Sequence, residues 1–250
     1  MSRHRLSVFA LLAGLTLAAR PASGQVTFDF ANLKYINSTF SGFLPTDGVF
    51  CTGGDLCSSN VNGGVFGDDL TYINGGLTVL ATAYYTSNNV TSLVSAVQDH
   101  ENSYNGVLYG RNTNGAGLGV YHLSNVGSDD NITAGEKLKL SFLTAVTINT
   151  IGLRSEGHNT TGWLQGATFQ FSTDNINWTT ALLPANSGRV DLNLTGQDFY
   201  FQYGGNTADQ FYLSSVTATG VVPEPSTYML MAVGLLGLGA AARRKRASTL

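Results

Sequence analysis

An acidic segment in the second half of the chain carries oxygen atoms suited to a hard cation. Its candidate ligands are Asp129, Asp130, Asn131 and Glu136, and a glycine-rich stretch precedes them. Ca²⁺ takes about six to eight oxygen ligands, which carboxylates, amides and backbone carbonyls supply together. One hypothesis is therefore a Ca²⁺ site. The alternative is a solvated turn that Asp and Asn cap, because the spacing does not follow the EF-hand pattern.

The two tryptophans are candidates for binding sugars by stacking. Trp163 and Trp178 lie among many Asn, Asp and Tyr residues, and this combination of rings and polar groups can grip a carbohydrate. The alternative is that most of these rings fill a hydrophobic core, since aromatic side chains dominate the cores of β proteins.

The sequence does not assemble a catalytic motif. His100, His122 and His158 are scattered without the HExxH spacing of a zinc enzyme. There is no G-x-S-x-G turn for a nucleophilic serine, and carboxylates adjacent in sequence do not define a glycosidase pair. We predict that the protein is not an enzyme.

The two cysteines, Cys51 and Cys57, lie in one glycine-rich loop. In an oxidising, exported setting they are expected to form a disulfide. A metal or redox site would need further ligands.

Short alternating segments must position all of these residues. Polar and apolar residues alternate over spans too short for helices, and turn-forming Asn, Gly, Asp and Ser separate them. The predicted strands are 26–30, 76–85, 137–142, 146–153, 167–172, 190–194, 199–203 and 211–219. Residues 89–101 are predicted to form a short helix. This pattern predicts one all-β domain, residues 25–221, folded as a single antiparallel, jelly-roll-like β-sandwich.

Residues 172–178 resemble the S-x-D-G-x-x-W hairpin of discoidin-like sandwich modules. Asn175 stands where glycine is usual, and asparagine tolerates the positive φ that such a turn requires. The resemblance supports a sandwich without implying a ligand.

The N-terminus has the pattern of a secretory signal peptide, residues 1–24. A basic start is followed by an apolar segment, 6–19, that is short for a membrane span. Small residues then precede a cleavage site between Gly24 and Gln25. The alternative is an uncleaved anchor.

The C-terminus has three ordered features. The first is a short motif of Val222, Pro223, Glu224 and Pro225. An uncharged segment, 227–242, follows, and as a helix it would be about 24 Å long. The last feature is a basic cluster of Arg243, Arg244, Lys245 and Arg246, which the positive-inside rule places in the cytoplasm. The main domain is therefore expected outside the cytoplasm.

Together these features resemble the PEP-CTERM sorting signal, here residues 222–246, of exported proteins in Gram-negative bacteria that make extracellular polysaccharide. The resemblance implies a short transmembrane sorting helix and recognition by the membrane protease-transpeptidase exosortase, after signal peptidase has acted. It also implies transient residence in the inner membrane. A permanent single-span anchor is the alternative.

Charge is distributed unevenly along the chain. Its net value is −3, but the region between Arg20 and Arg243 holds six basic and 16 acidic residues, a net charge of −10. A nucleic-acid partner is therefore not expected. We predict a structural or adhesive protein of the cell surface or of an exopolysaccharide matrix, such as a biofilm. The alternatives are a carbohydrate-binding β-sandwich module, with or without a dependence on Ca²⁺, and, less favoured, an enzyme acting on polysaccharide.

Overall fold

The computed structural model describes residues 24–31, 34–36, 39–41, 43–46, 51–52, 69–100, 103–104, 107–108, 115–122, 130–205, 207–220, 231 and 234–236. One compact unit spans residues 23–220, and a second contains the two termini. The strands are Val26–Asp29 (β1), Lys34–Ile36 (β2), Thr39–Ser41 (β3), Cys51–Thr52 (β4), Leu70–Asn74 (β5), Leu77–Ser87 (β6), Val90–His100 (β7), Ser103–Tyr104 (β8), Val107–Leu108 (β9), Gly117–Tyr121 (β10), Glu136–Arg154 (β11), Thr168–Ser172 (β12), Thr179–Leu182 (β13), Arg189–Tyr203 (β14) and Tyr212–Gly220 (β15).

Eleven strands form one hydrogen-bonded network, and nine of them follow the order β1-β15-β10-β7-β6-β11-β14-β12-β13. The other two, β4 and β5, pair with strands of this series. Strand β5 pairs with β6, and β15 also pairs with β11. Strand β4 pairs with β7 in parallel, whereas the other pairings of this network are antiparallel. Strand β2 pairs with β3, and β8 with β9. The predicted all-β class is confirmed.

Strand β11 connects the two halves of this network. Its first part, from Glu136 to Phe142, pairs with β6, and its second part, from Val146 onwards, pairs with β15. Strand β14 accompanies both parts, with an irregularity between them: Ser141 pairs with Asp198, and Val146 with Gly196. Strand β11 therefore carries three extra residues, 143–145, which are exposed. Such a bulge bends a strand and increases its twist.

The predicted strands are found, but two pairs of them are merged. Segments 137–142 and 146–153 both belong to β11, and segments 190–194 and 199–203 both belong to β14. The predicted helix at 89–101 is wrong, because β7 occupies Val90–His100. Asn88 and Asn89, with φ of 49° and 63°, form the two-residue turn before it, which is the conformation that tight hairpins favour. Strands β5 and β10 were not predicted.

Two finer predictions, the jelly-roll-like sandwich and the C-terminal sorting helix, have other outcomes. A jelly-roll-like sandwich is not confirmed, since the structure gives one connected network of strands. Of the predicted sorting helix, only Met231 and residues 234–236 are described, and these are helical. Among the described residues, none of the helical segments has the length and apolar character that crossing a membrane requires.

The core lies against the inward face of the long strands. Burial alternates along β6, where Leu77, Val79, Ala81 and Ala83 point inward and the intervening residues stay partly exposed. This period of two is that of a strand with one buried face. The largest fully buried side chains are Tyr72, Tyr212, Phe28, Phe30, Phe169, Phe199, Phe201, Phe211, Leu70, Leu118 and Ile132.

A buried amide joins four separate segments. Gln98 of β7 is fully buried, and its Nε2 donates to the carbonyl oxygens of Phe30 at 2.9 Å and Phe43 at 2.8 Å. Its Oε1 accepts a hydrogen bond of 2.6 Å from the Tyr72 hydroxyl. These contacts hold the loop residues 30 and 43 against β5 and β7, where the rings of Phe43 and Tyr72 stack.

Replacing this amide should destabilise the protein strongly. Gln98→Met keeps most of the side-chain volume but removes three hydrogen bonds from buried groups. We expect the free energy of unfolding to fall by about 2–4 kcal/mol, since a buried polar group that loses its partner costs about 1–3 kcal/mol. Denaturant unfolding measures this change. The matched control is Gln197→Met, whose exposed amide bonds only to the Leu143 carbonyl among the described residues, and which should change stability by less than about 0.5 kcal/mol. Equal effects of the two substitutions would contradict the assignment.

Candidate functional site

The outward surface of the sheet carries rings and lysines side by side. Tyr84 of β6, Lys137 and Lys139 of β11, and Asp198 and Tyr200 of β14 share one surface, and Trp178 joins them from the turn before β13. We call these six residues the aromatic–lysine face. Strand register brings them together, because Lys137 lies opposite Tyr84, and Lys139 opposite Tyr200. Side chains of neighbouring strands at paired positions lie close enough to interact.

Lys137 is surrounded by three aromatic rings. Its Nζ lies 5.4 Å from the ring centroid of Tyr84, 5.8 Å from that of Tyr200 and 5.9 Å from that of Trp178. Each distance is within the range of a cation–π attraction. Partial burial lowers the pKa of Lys137 from its ordinary value of 10.5, because removing water disfavours the charged form.

Lys139 has a different environment. Its Nζ lies 3.2 Å from Oδ1 of Asp198 and 5.5 Å from the ring centroid of Tyr200. Burial lowers its pKa, but the hydrogen bond and the negative charge of Asp198 outweigh burial, so the pKa is raised overall. The hydroxyl of Ser141 donates to the same carboxylate oxygen at 2.7 Å. Asp198 is thereby fixed between β11 and β14.

The hairpin at residues 172–178 carries Trp178 to this surface. Asn175 has a φ of 59°, as the sequence predicted for the turn, and its Oδ1 accepts a hydrogen bond of 2.6 Å from Nζ of Lys137. The carboxylate of Asp174 accepts hydrogen bonds from the backbone and side-chain amides of Asn177 and from the backbone of Ile176. These bonds lower the pKa of Asp174. The turn is therefore fixed by its own side chains.

A row of amides extends the face across the sheet. Nε2 of Gln202, which lies opposite Lys137, donates to Oε1 of Gln170 at 2.8 Å. Nε2 of Gln170 in turn donates to the Thr180 hydroxyl at 3.2 Å. The row places hydrogen-bonding groups beside the rings. Rings that stack on a sugar, with polar groups at their edges, make a surface that can bind carbohydrate.

Trp163 has surroundings of its own. Its Nε1 donates to the carbonyl of Gln210 at 3.2 Å, and its ring packs against the core. It lines a polar cleft of about 230 Å³ together with Ser155, Asn159 and Asp209. The structure therefore places the two tryptophans against different neighbours: Trp178 on the aromatic–lysine face, and Trp163 at the cleft.

Two of the proposed Ca²⁺ ligands accept hydrogen bonds from other groups of the protein. Asp130, Asn131 and Glu136 are buried, and Asp129 lies outside the described residues. The Tyr212 hydroxyl donates to Oδ1 of Asp130, and the backbone amide of Thr133 donates to Oε2 of Glu136 at 2.9 Å. No group of three or more His, Cys, Asp or Glu side chains that could hold a metal ion occurs among the described residues. The Ca²⁺ site stays a prediction that these contacts do not support.

The backbone beside Asp130 explains a glycine in β10. A Cβ on Gly119 would lie 1.5 Å from the carbonyl oxygen of Asp130, so only glycine fits there. Backbone hydrogen bonds hold the neighbouring residues of this segment in the same way: Val120 of β10 donates to Asn131, and Ile132 and Phe211 bond to each other. The acidic segment is thus built into the sheet.

The histidines do not form a common site in the described part of the chain. His158 is buried, and its Nδ1 lies 3.3 Å from Oδ2 of the buried Asp99, which also accepts a hydrogen bond from the Ala116 backbone. The His122 ring stacks on Tyr85, and His100 ends β7. The pair of His158 and Asp99 connects the loop after β11 to β7 inside the protein.

Some residues of the remaining predicted sites lie outside the residues that the structure describes. Gly24 and Gln25 are exposed and directly precede β1. Cys51 begins β4, but Cys57 falls outside the described residues, so the disulfide stays a prediction. The residues of the proline motif, 222–225, and of the basic cluster, 243–246, also fall outside them.

Sequence reasoning missed most of the aromatic–lysine face. It singled out Trp178, but Tyr84, Tyr200 and the two lysines come from strands far apart in the sequence. The signal available was the alternation at 137–142, which puts Lys137 and Lys139 on one side of a strand. Alternation alone does not predict that this strand pairs with β6 and β14.

The two lysines should titrate in a defined order. The pKa of Lys137 is lowered and that of Lys139 raised, so Lys137 loses its proton first as pH rises. A pH titration of the lysine side-chain resonances by NMR measures this order. Asp198→Asn should lower the pKa of Lys139 by removing its partner, while Lys137 keeps its value. A single shared pKa for both lysines would contradict the two environments.

The C-terminal segment supplies the match to a known family. Residues 221–246 match the family model of the PEP-CTERM protein-sorting motif. No curated protein and no solved structure matches the chain. The sorting signal predicted from the sequence is thus confirmed, and it implies export, a membrane-anchored precursor and processing by exosortase. The chain carries a PEP-CTERM protein-sorting motif at residues 221–246.

Proposed function

We propose that this protein is an adhesive component of the cell surface or the exopolysaccharide matrix of a Gram-negative bacterium, and that it binds polysaccharide through the aromatic–lysine face. The observation that carries the proposal is the position of Lys137, within 6 Å of three rings on the outward side of the sheet. Aromatic rings supply stacking area at small entropic cost. Sugar rings present flat C–H faces to such surfaces, and their hydroxyls meet the amides beside them.

Two features of the face suit it to a long polymer. Its residues come from three adjacent strands and from the hairpin, so it extends across the sheet and is open to solvent. The amide row of Gln202 and Gln170 then continues it towards β13. An elongated surface of this kind can contact several sugar units at once, and the weak contacts add up along one chain.

The protein acts by binding and not by catalysis in this proposal. The described pair that most resembles part of a catalytic site, His158 and Asp99, is buried, with side chains 2% and 0% exposed. A substrate polymer could not reach it without opening the core. Carbohydrate binding with a defined glycan is the narrower form of the proposal.

Export and processing complete the proposed sequence of events. Signal peptidase removes residues 1–24, exosortase removes the C-terminal tail near Pro223 and Pro225, and the acidic β domain stays outside. The domain is proposed to be jelly-roll-like, with β11 shared between two layers: its first part pairs with β6 and its second with β15.

Removing the half-buried ring of Trp178 should weaken polysaccharide binding. Trp178→Ala takes away one of the three rings around Lys137, and we expect a loss of about fivefold or more in affinity, since replacing an aromatic ring by alanine costs about 1–3 kcal/mol where nucleic-acid bases stack on such rings. Co-sedimentation of the full chain with exopolysaccharide from the exporting bacterium measures it.

The matched control is Ile176→Ala, on the same hairpin. Ile176 is 79% exposed, and its side chain makes none of the described contacts of the face. This variant should bind as the unaltered protein does. If Trp178→Ala also binds with unchanged affinity, the aromatic–lysine face is not the binding surface.

Processing has its own test. The intact mass of the protein recovered from the exporting cell should correspond to a chain that begins at Gln25 and lacks the basic cluster 243–246. Pro223→Ala combined with Pro225→Ala should leave the tail in place, because the recognition motif is lost. A mature protein that retains residues 226–250 would contradict removal by exosortase.

A further inference from the structure

The two lysines of the face differ in how their charges are balanced. The charge of Lys139 is neutralised by Asp198, 3.2 Å away. For Lys137, the hydrogen-bond partner is the neutral side chain of Asn175. Among the described residues no carboxylate lies within ion-pair distance of its Nζ.

The carboxylates nearest to this region have other partners. Asp198 is bound by Lys139 and Ser141. Asp174, in the adjacent hairpin, directs both oxygens to groups of its own turn. Burial is the main cause that raises the pKa of Tyr84, and the negative charge of Asp69 contributes to the same shift; Asp69 makes no described ion pair with Lys137. Among the residues that the structure describes, this positive charge is thus held among rings without an anion beside it.

We propose that the aromatic–lysine face selects acidic polysaccharides, with Lys137 binding a carboxylate of the sugar. This inference rests on the proposed polysaccharide binding and adds the class of polymer. A uronic acid unit has a flat apolar side for a tyrosine or tryptophan ring, and its carboxylate extends from the edge of the sugar ring. The carboxylate can then accept a charge-assisted hydrogen bond from Nζ, which is about twice as strong as a neutral one.

The surroundings of Lys137 increase this selectivity. Its ammonium group is partly buried, so water screens its attraction for an anion less than at a fully exposed lysine. Asn175 and the three rings restrict its position, so less side-chain freedom is lost on binding. The overall charge of the domain repels an anionic polymer, so contact is favoured at this face and opposed elsewhere on the surface.

The test compares one polymer in two charge states. The full chain is titrated with polygalacturonate, with the same polymer after methyl esterification of its carboxylates, and with alginate as a second acidic polymer. We expect binding to the two acidic polymers to be at least about tenfold tighter than to the ester, and to weaken as salt is added.

Three variants assign the preference to Lys137. Lys137→Met, which keeps the length of the side chain but removes its charge, should lose about tenfold more affinity for the acidic polymers than for the ester. Lys137→Arg should retain most of the preference. Arg189→Met removes an exposed cation outside the face and should bind as the unaltered protein does. Thermal unfolding of each variant verifies that the fold is intact.

The outcomes separate the two proposals. If acidic and esterified polymers bind equally and Trp178→Ala weakens both, polysaccharide binding stands and the selection of acidic polymers is wrong. The same conclusion follows if folded Lys137→Met keeps the preference. If the unaltered protein binds none of the three polymers and none of the bacterium's own exopolysaccharide, the proposed function itself is wrong.

Discussion

The bend in β11 is the constraint on which the rest of the structure depends. One strand of 19 residues pairs with β14 along both of its parts, and exchanges β6 for β15 on its other side. The three extra residues 143–145 lie where the partner changes, and such a bulge bends a strand and increases its twist. Apolar side chains on both parts, among them Leu138, Leu140, Ile148 and Leu153, are buried. The bend therefore allows one strand to contribute to the core on both sides of it.

The same strand fixes the candidate site. Because side chains alternate, burying Leu138 and Leu140 forces Lys137 and Lys139 outward. The pairing with β6 and β14 then places Tyr84 and Tyr200 beside them. Trp178 is instead positioned by the hairpin. Asp174 holds the turn of this hairpin by hydrogen bonds, and Asn175 accepts a hydrogen bond from Lys137. The packing of the core thus determines which side chains meet on the outward surface. Apart from Trp178 beside this fixed turn, every residue of the face lies on a strand.

The sequence contained the local part of this arrangement but not the long-range part. Alternation located the segments of β11 and β14, and the tolerance of Asn175 for a positive φ located the hairpin turn, because both depend on neighbouring residues alone. The merging of two predicted strands into β11 depends on partners 37 or more residues away. In the segment 89–101, Val90, Leu93, Val94 and Val97 recur at a spacing that is compatible with a helix. The turn at Asn88 and Asn89 and the pairing with β6 nevertheless make it a strand. Buried Asp130 and Glu136 had the composition of a metal-binding loop; the hydrogen bond that Asp130 accepts from Tyr212 is a long-range contact that composition does not predict, whereas Glu136 accepts a local one from Thr133.

The ends of the domain follow from its sheet. Strand β1 is antiparallel to β15, with Val26 opposite Ala218, so the exposed residues before Val26 and the last residues of β15 lie at the same end of one strand pair. The matched sorting motif begins at residue 221, directly after β15 ends at Gly220. Removing both terminal segments would therefore break none of the described pairings of β1 with β15. A domain whose first and last strands pair with each other can be folded before its tail is cut.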